Sequence, residues 1–314
     1  MINKNVLRVL IAKGAGEGTL RRINRYLTVC SSYSFDDICE DVDLMCNIGI
    51  SPEISRNIYY SNEEALRLEE KLHNNSISMC WIRDESYPAG LRELRENDAP
   101  PVLFYRGRFE LLNKKCVGFT GSRNVSDMGL NITYNSAEKL SADGISVVSG
   151  YAKGVDITAH MAALRTGGNT VFVIVEGILK NRIKPEIKEL LNDKNHLFIS
   201  QFSPYMQWFA SNAMKRNNTI IGLSDAMILI EASMSGGTFN AGEQSLKNNK
   251  PLFVVEYGVE KQNAEGNQFF LQHGGTPLRG DRSGVPVLKR VYSVLQNNDH
   301  DEKYEQLSLD LSSV

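Results

Sequence analysis

The chain has 314 residues, 42% hydrophobic and 23% charged, with Lys+Arg 35 against Asp+Glu 37 and a formal net charge of -2. That composition excludes a fibrous or wholly disordered chain and leaves room for two domains. The near-neutral balance also excludes polyanion binding by bulk charge, so a nucleic-acid site has to arise from cations gathered locally.

Residues 1–75 read as a small all-helical domain. Val6, Leu7, Leu10 and Ile11 share one helical face, as do Leu20, Ile23 and Leu27. Gly14, Gly16 and Gly18 interrupt the chain between them, with Thr19 as a candidate N-cap. Gly49 marks a second break before a helix through Ile54 and Ile58, and a further helix runs from Glu63 to Leu72. Helix–glycine–helix units of this kind either present backbone N–H groups to a phosphate or simply build a bundle. Ahead of Val6 there is no apolar leader, and no stretch approaches the roughly 18 apolar residues of a membrane span, so a cytoplasmic protein is expected. Cys30, Cys39, Cys46, Cys80 and Cys116 lack CxxC spacing and read as small buried hydrophobes of a reducing compartment.

Residues 76–114 read as a linker with edge elements. Pro100 and Pro101 hold the chain extended, and Val102 to Tyr105 has the apolar run of an edge strand added to a neighbouring sheet.

From 115 to 295 short apolar runs alternate with helical patterns. Candidate strands are Cys116–Thr120, Ile145–Val148, Thr170–Val175, Leu197–Ser200, Ala226–Ile230 and Leu252–Val255. Candidate helices are Gly129–Ala142, Ile157–Thr166, Lys184–Leu191, Phe209–Leu223 and Phe239–Asn248. Strands apolar at every position, such as Val171-Phe172-Val173-Ile174-Val175, are covered on both faces. The fold class is therefore α/β: a Rossmann-like parallel or mostly parallel sheet with helices on both faces, preceded by the helical domain. The pattern weakens beyond Tyr257, and 296–314 reads as a flexible acidic tail.

Ligands of such sheets bind where strand ends turn into helix N-termini. The first strand ends in Gly121-Ser122-Arg123, which joins close backbone approach, a hydroxyl and a phosphate-matching guanidinium. The second ends in Ser149-Gly150-Tyr151-Ala152-Lys153-Gly154, a glycine-bracketed anion nest with a mobile cation. Asp156 and His160 follow one helical turn apart, as ligand contacts or structural supports. Past Tyr205, Trp208 and Phe209 come Lys215, Arg216 and Asn217, cations and amides beside aromatics, as a backbone-gripping, base-stacking surface needs. The aromatics have a plainer reading as core. Ser235-Gly236-Gly237-Thr238 forms another glycine-lined hydroxyl loop opening a helix, flanked by Glu231 and Glu243. No GxGxxG or GxxxxGK[ST] run is present, and His73, His160, His196, His273 and His300 lie far apart, so no cofactor, metal site or catalytic residue is assigned.

Taken in order, these motifs resemble the DNA-processing protein A (DprA or Smf) family. Tyr87-Pro88, Pro100 to Gly107, Gly121-Ser122-Arg123, Ser149 to Asp156 with Ala159-His160, Arg216-Asn217, Glu231-Ala232 and Ser235 to Thr238 carry the likeness, over roughly Ile77 to Val255. The resemblance implies sequence-independent binding of single-stranded DNA in DNA processing or recombination, without turnover. It also implies loading of a RecA-type recombinase, a homodimer, and a helical domain of helix–hairpin–helix or sterile-alpha-motif type. It places Arg123 on the family's phosphate-contacting arginine and Arg216-Asn217 on its basic stretch. This chain departs from the family pattern at Val255-Glu256-Tyr257-Gly258, at Lys180 to Pro185 in place of a tyrosine–proline, and at Asn218 where an arginine is usual.

An alternative keeps the fold and changes the ligand. The Ser235 to Thr238 loop with Glu243 is also similar to lysine-decarboxylase-like phosphoribohydrolases. There Glu231 or Glu243 would stabilise positive charge on a ribosyl group while Arg123 held the phosphate, or a nucleotide-derived ligand would simply bind. A scaffold protein that has lost its ligand is the third reading.

Overall fold

The computed structural model describes residues 2–30, 32–258, 264–281 and 283–296. The expected acidic tail, beyond Gln296, lies outside the described residues.

Six helices lead the chain: α1 (Lys4–Ile11), α2 (Glu17–Val29), α3 (Phe35–Glu40), α4 (Val42–Asn47), α5 (Pro52–Tyr60) and α6 (Asn62–Asn74). Short polar caps start several of them. Asn3 accepts from two first-turn N–H groups of α1, Ser34 and Asp37 make a capping box on α3, and Ser51 precedes Pro52 on α5. Gly16, not Thr19, is the N-cap of α2. The bundle closes around a fully buried arginine. Arg8 donates from Nε to the Ile58 carbonyl (3.2 Å) and from Nη2 to those of Cys39 and Tyr59 (both 2.9 Å), while Nη1 pairs with Glu40 at 2.5 Å. One side chain thus ties α1 to the C-termini of α3 and α5.

Strands β1 (Ser78–Trp81) and β2 (Val102–Gly107) flank the short helix α7 (Ala89–Arg92). The alternating region then gives β3 (Cys116–Thr120), α8 (Asp127–Ala142), β4 (Ser146–Ser149), α9 (Val155–Arg165), β5 (Thr170–Val173), α10 (Pro185–Lys188) and β6 (His196–Ser200). It continues with α11 (Ala210–Gly222), β7 (Ala226–Leu229), α12 (Gly237–Lys247), β8 (Leu252–Val255), α13 (Glu265–Gln272) and β9 (Thr276–Leu278).

The nine strands among the described residues form one sheet in the order β1-β2-β6-β5-β4-β3-β7-β8-β9. From β6 to β9 every pairing is parallel, and β2 alone runs against both its neighbours. The run Val102–Tyr105 is therefore an interior strand, with Phe104 opposite both Met79 and Ser200. The expected edge position belongs to β1, whose Ser78-Met79-Cys80-Trp81 carries no apolar alternation to betray it.

Alternation sorts the side chains into two layers. Val171, Val173, Leu197, Ile199, Met227 and Leu229 pack with Leu91, Ile220, Ile221 and Phe270 under α7, α11 and α13. The opposite face splits. Val117, Phe119, Val147 and Ile228 pack beneath α8 and α9. Met79, Trp81, Phe104, Phe172 and Phe198 pack against the N-terminal helices, where Phe35 stacks on Trp81 with ring centroids 4.9 Å apart. The core of the helical segment thus runs on into the sheet without a break.

Candidate nucleic-acid interface

The chain winds from β3 through β4 and β5 to β6 on one side, then crosses through α11 to β7 on the other. This reversal opens a crevice at the carboxyl ends of β3 and β7, where doubly wound sheets bind ligands. A cleft of about 430 Å³ lies there, lined by Gly121 to Asn124, Trp208, Arg216, Asn217, Ser235, Gly237 and Thr238.

Glycines let the first two loops interlock. A methyl group on Gly121 would overlap the Val155 side chain. Gly154 sits at φ +86°, and a Cβ there would lie 2.5 Å from the Ser122 carbonyl and 2.8 Å from that of Arg123. Backbone therefore packs on backbone, and Arg123 is left exposed at the lip. The Ser122 hydroxyl accepts from the Asn124 N–H at 3.0 Å, closing the turn behind it.

The second loop's polar groups face inward more than the sequence suggests. Ser149 is buried, its hydroxyl 2.7 Å from the Phe119 carbonyl and 3.0 Å from Asp156 Oδ1. Asp156 Oδ2 accepts from the Ala152 N–H at 3.2 Å and faces Arg216 Nη1 across 3.9 Å. Burial raises the Asp156 pKa and lowers that of Arg216, since attraction at this separation does not offset the lost hydration. Gly150 backs directly onto this pair, and any side chain there would displace the guanidinium.

His160 is fully buried behind the cleft lining. Its Nε2 donates to the Gly150 carbonyl at 2.6 Å, an acceptor only, and Nδ1 lies 2.6 Å from the Thr170 hydroxyl, which also faces the Val147 carbonyl at 2.9 Å. Complete burial brings its pKa down to about 3, and the ring stays neutral. Glu231 is likewise committed. Its carboxylate accepts from the Ser126 N–H (2.9 Å), the Ser126 hydroxyl (2.5 Å) and the Tyr257 hydroxyl (3.0 Å), holding the N-terminus of α8.

The basic pair separates, because consecutive helical residues point about 100° apart. Arg216 and Asn217 are buried toward the cleft, where Asn217 donates to the Gly237 carbonyl at 3.0 Å. Lys215 lines a different groove, with Glu17, Arg21 and Asp98. Lys153 is exposed and outside the cleft lining, as is half-buried Glu243 on α12. Gly236 caps α12 at φ +92°, its surroundings open.

Two residues gain weight only in three dimensions. Trp208 is 51% exposed on the cleft wall and so is no core residue. Lys184 donates from Nζ to the Tyr151 carbonyl at 2.6 Å and lies 4.5 Å above that ring, while its N–H donates to the Tyr151 hydroxyl at 2.7 Å. Its pKa is lowered, chiefly by burial, with Glu186, Asp156 and Glu176 opposing the shift, and Lys184 lies outside the cleft lining. The only sequence signal was the departure from the family pattern at Lys180 to Pro185.

Residues 78–283 match the family model for DNA recombination-mediator protein A. The chain belongs to that family. DNA processing protein DprA of Streptococcus pneumoniae is 31% identical over 241 residues, covering 76% of this chain and 82% of that protein. DprA of Bacillus subtilis is 28% identical over 206 residues, 64% and 68% of the two chains. The solved structure of the Streptococcus pneumoniae protein superposes with a TM-score of 0.71 at 26% identity, covering 88% of this chain and 95% of that one. DNA processing protein A from Helicobacter pylori, studied for its single-stranded DNA binding mode, shares the fold with a TM-score of 0.56 at 23% identity, covering 71% and 97%. Departures from the family pattern have local consequences: Asn218 donates to Asp98 at 3.0 Å, and Tyr257 supports Glu231. Among the described residues no helix is long and apolar enough to cross a membrane.

Proposed function

We propose that this DprA/Smf family member binds single-stranded DNA in DNA processing or recombination, gripping phosphates in the cleft at the β3/β7 switch point without reading sequence. The observation that carries this reading is the convergence of Arg123 and Arg216 on one cleft whose wall bears a half-exposed tryptophan. Backbone and guanidinium donors hold phosphate oxygens whatever the base, and Trp208 offers a stacking face that every base fits. Gly121, Ser122, Arg123, Arg216, Asn217, Ser235, Gly237 and Thr238 are the proposed contacts, with Ser149, Gly150 and Gly154 shaping the loops behind them. Lys153 and Lys215 lie outside this lining and extend the positive field along the approach. Family membership supports two further proposals, a homodimer and a RecA-type recombinase as partner.

The glycosidic-hydrolysis alternative needs a carboxylate whose oxygens face the ligand. Glu231 spends its lone pairs on Ser126 and Tyr257, and Glu243 is not in the cleft lining, so the geometry favours binding over turnover. The deciding experiment titrates fluorescent single strands of rising length and unrelated sequence at two salt concentrations, with mononucleotide competitors. The expected outcome is affinity that rises with length, falls with salt and ignores sequence. Length-independent binding matched by a mononucleotide would refute the DNA reading.

A further inference from the structure

Arg216 is poorly satisfied for a buried charge. Its side chain is 7% exposed, and among the described residues its five N–H groups make one hydrogen bond, from Nη1 to the Val173 carbonyl at 3.0 Å. Asp156 stands 3.9 Å away, beyond hydrogen-bonding distance. The Nε is buried and has no partner. Leaving buried donors unmade costs free energy, and a charged donor costs most. The surroundings nonetheless make room for this arrangement: Gly150 supplies no side chain where one would collide with the guanidinium. Arg216 is thus a fork of unused donors at the inner end of a cleft whose lip carries Arg123.

We infer that this fork is the seat of a terminal phosphate monoester, so that the cleft holds the phosphorylated end of a single strand in preference to its interior. The inference rests on the single-stranded DNA reading of the same cleft. A monoester presents three terminal oxygens and up to two negative charges, whereas an internal diester presents two oxygens and one charge, with chain leaving on both sides. Only a group that protrudes from a chain end reaches a guanidinium this occluded without drawing the flanking nucleotides into the wall. Arg216 takes such a group bidentately, the turn at Ser235 to Thr238 adds backbone N–H groups, and Arg123 closes over it from the lip. Trp208 is then placed for the terminal base.

The test uses the intact protein and one sequence in four forms: 5′-phosphorylated, 3′-phosphorylated, linear with hydroxyl ends, and covalently closed circular. Each competes against a labelled hydroxyl-ended strand. One phosphorylated form is expected to bind about tenfold tighter than the hydroxyl-ended and circular forms, and which one does so identifies the end that is held. Arg216→Lys, checked for folding by circular dichroism, is expected to bring all four forms to one lowered affinity, which removes the preference. Equal affinity for all four forms would overturn the inference and leave the DNA reading standing. Binding of none would overturn the DNA reading itself. The wild-type comparison decides the matter even if the variant does not fold.

Discussion

Replacing His160 by Gln tests the support behind the second loop through pH. The imidazole is fully buried, with a pKa of about 3 in the folded protein against 6.5 for the free side chain. Between those values the unfolded chain holds the proton and the folded chain does not. Stability is therefore complete above about pH 6.5 and falls as pH drops toward 3. From pH 7 to pH 5 the titration of this one group spans roughly 1.5 pH units below its unfolded pKa, or about 2 kcal/mol. Urea denaturation of the wild type and His160→Gln at both pH values isolates the effect. His196, whose pKa is also lowered by burial, is present in both proteins and cancels. The wild type should lose about 2 kcal/mol more than the variant over this interval. Parallel losses would show that His160 titrates normally, and with that the neutral ring bonded to the Gly150 carbonyl would be refuted.

Gly150→Ala places a methyl group on the Arg216 guanidinium, so single-strand affinity should fall at least about tenfold in anisotropy titrations while the circular dichroism spectrum is retained. Two cations line the cleft, Arg123 and Arg216, which sets a slope of about -1.4 for log affinity against log salt with single strands. Arg123→Ala should flatten that slope by about 0.7 and weaken unrelated sequences by similar factors; a loss confined to one sequence would exclude backbone contact. Arg8→Ala takes the guanidinium from the carbonyls of Cys39 and Tyr59, while that of Ile58 keeps Ser61, and should destabilise the protein by about 3 kcal/mol in chemical denaturation.

The parallel strands were legible because burial on both faces leaves an apolar run that little else in a soluble chain produces. Cys116–Thr120 and Leu252–Val255 fall where the sequence put them. The elements it missed are held by distant polar partners. α13 is rich in Gly, Gln and Asn, yet Asn267 donates to the carbonyls of Ile230 (2.7 Å) and Val255 (2.9 Å) and accepts from the Ala232 N–H (2.9 Å). That side chain stitches the ends of β7 and β8, and no local propensity encodes it. β9, three residues long with Pro277 inside, is the edge strand that pattern reading passes over. At the site, the glycine loops were legible because their spacing has a backbone cause. The directions of Lys215 and Arg216 were not, because adjacent residues on a helix diverge and only packing says which one enters the cleft.

A chain with a net charge of -2 holds a polyanion only if its own acids are kept from opposing it. Two carboxylates stand in this cleft, and both are turned to internal work. Glu231 caps α8 with help from Tyr257, and Asp156 is shared among Ser149, the Ala152 N–H and Arg216. Their charge is spent against nearby donors, while Arg123 at the lip and most of the Arg216 fork stay uncommitted. Local geometry thus supplies what composition denies. It also explains why Gly150, Gly154 and His160, none of which carries a charge to the ligand, matter to the cleft: Gly150, held by His160, leaves room for the Arg216 guanidinium beside Asp156, and Gly154 lets the second loop pack on the Arg123 turn.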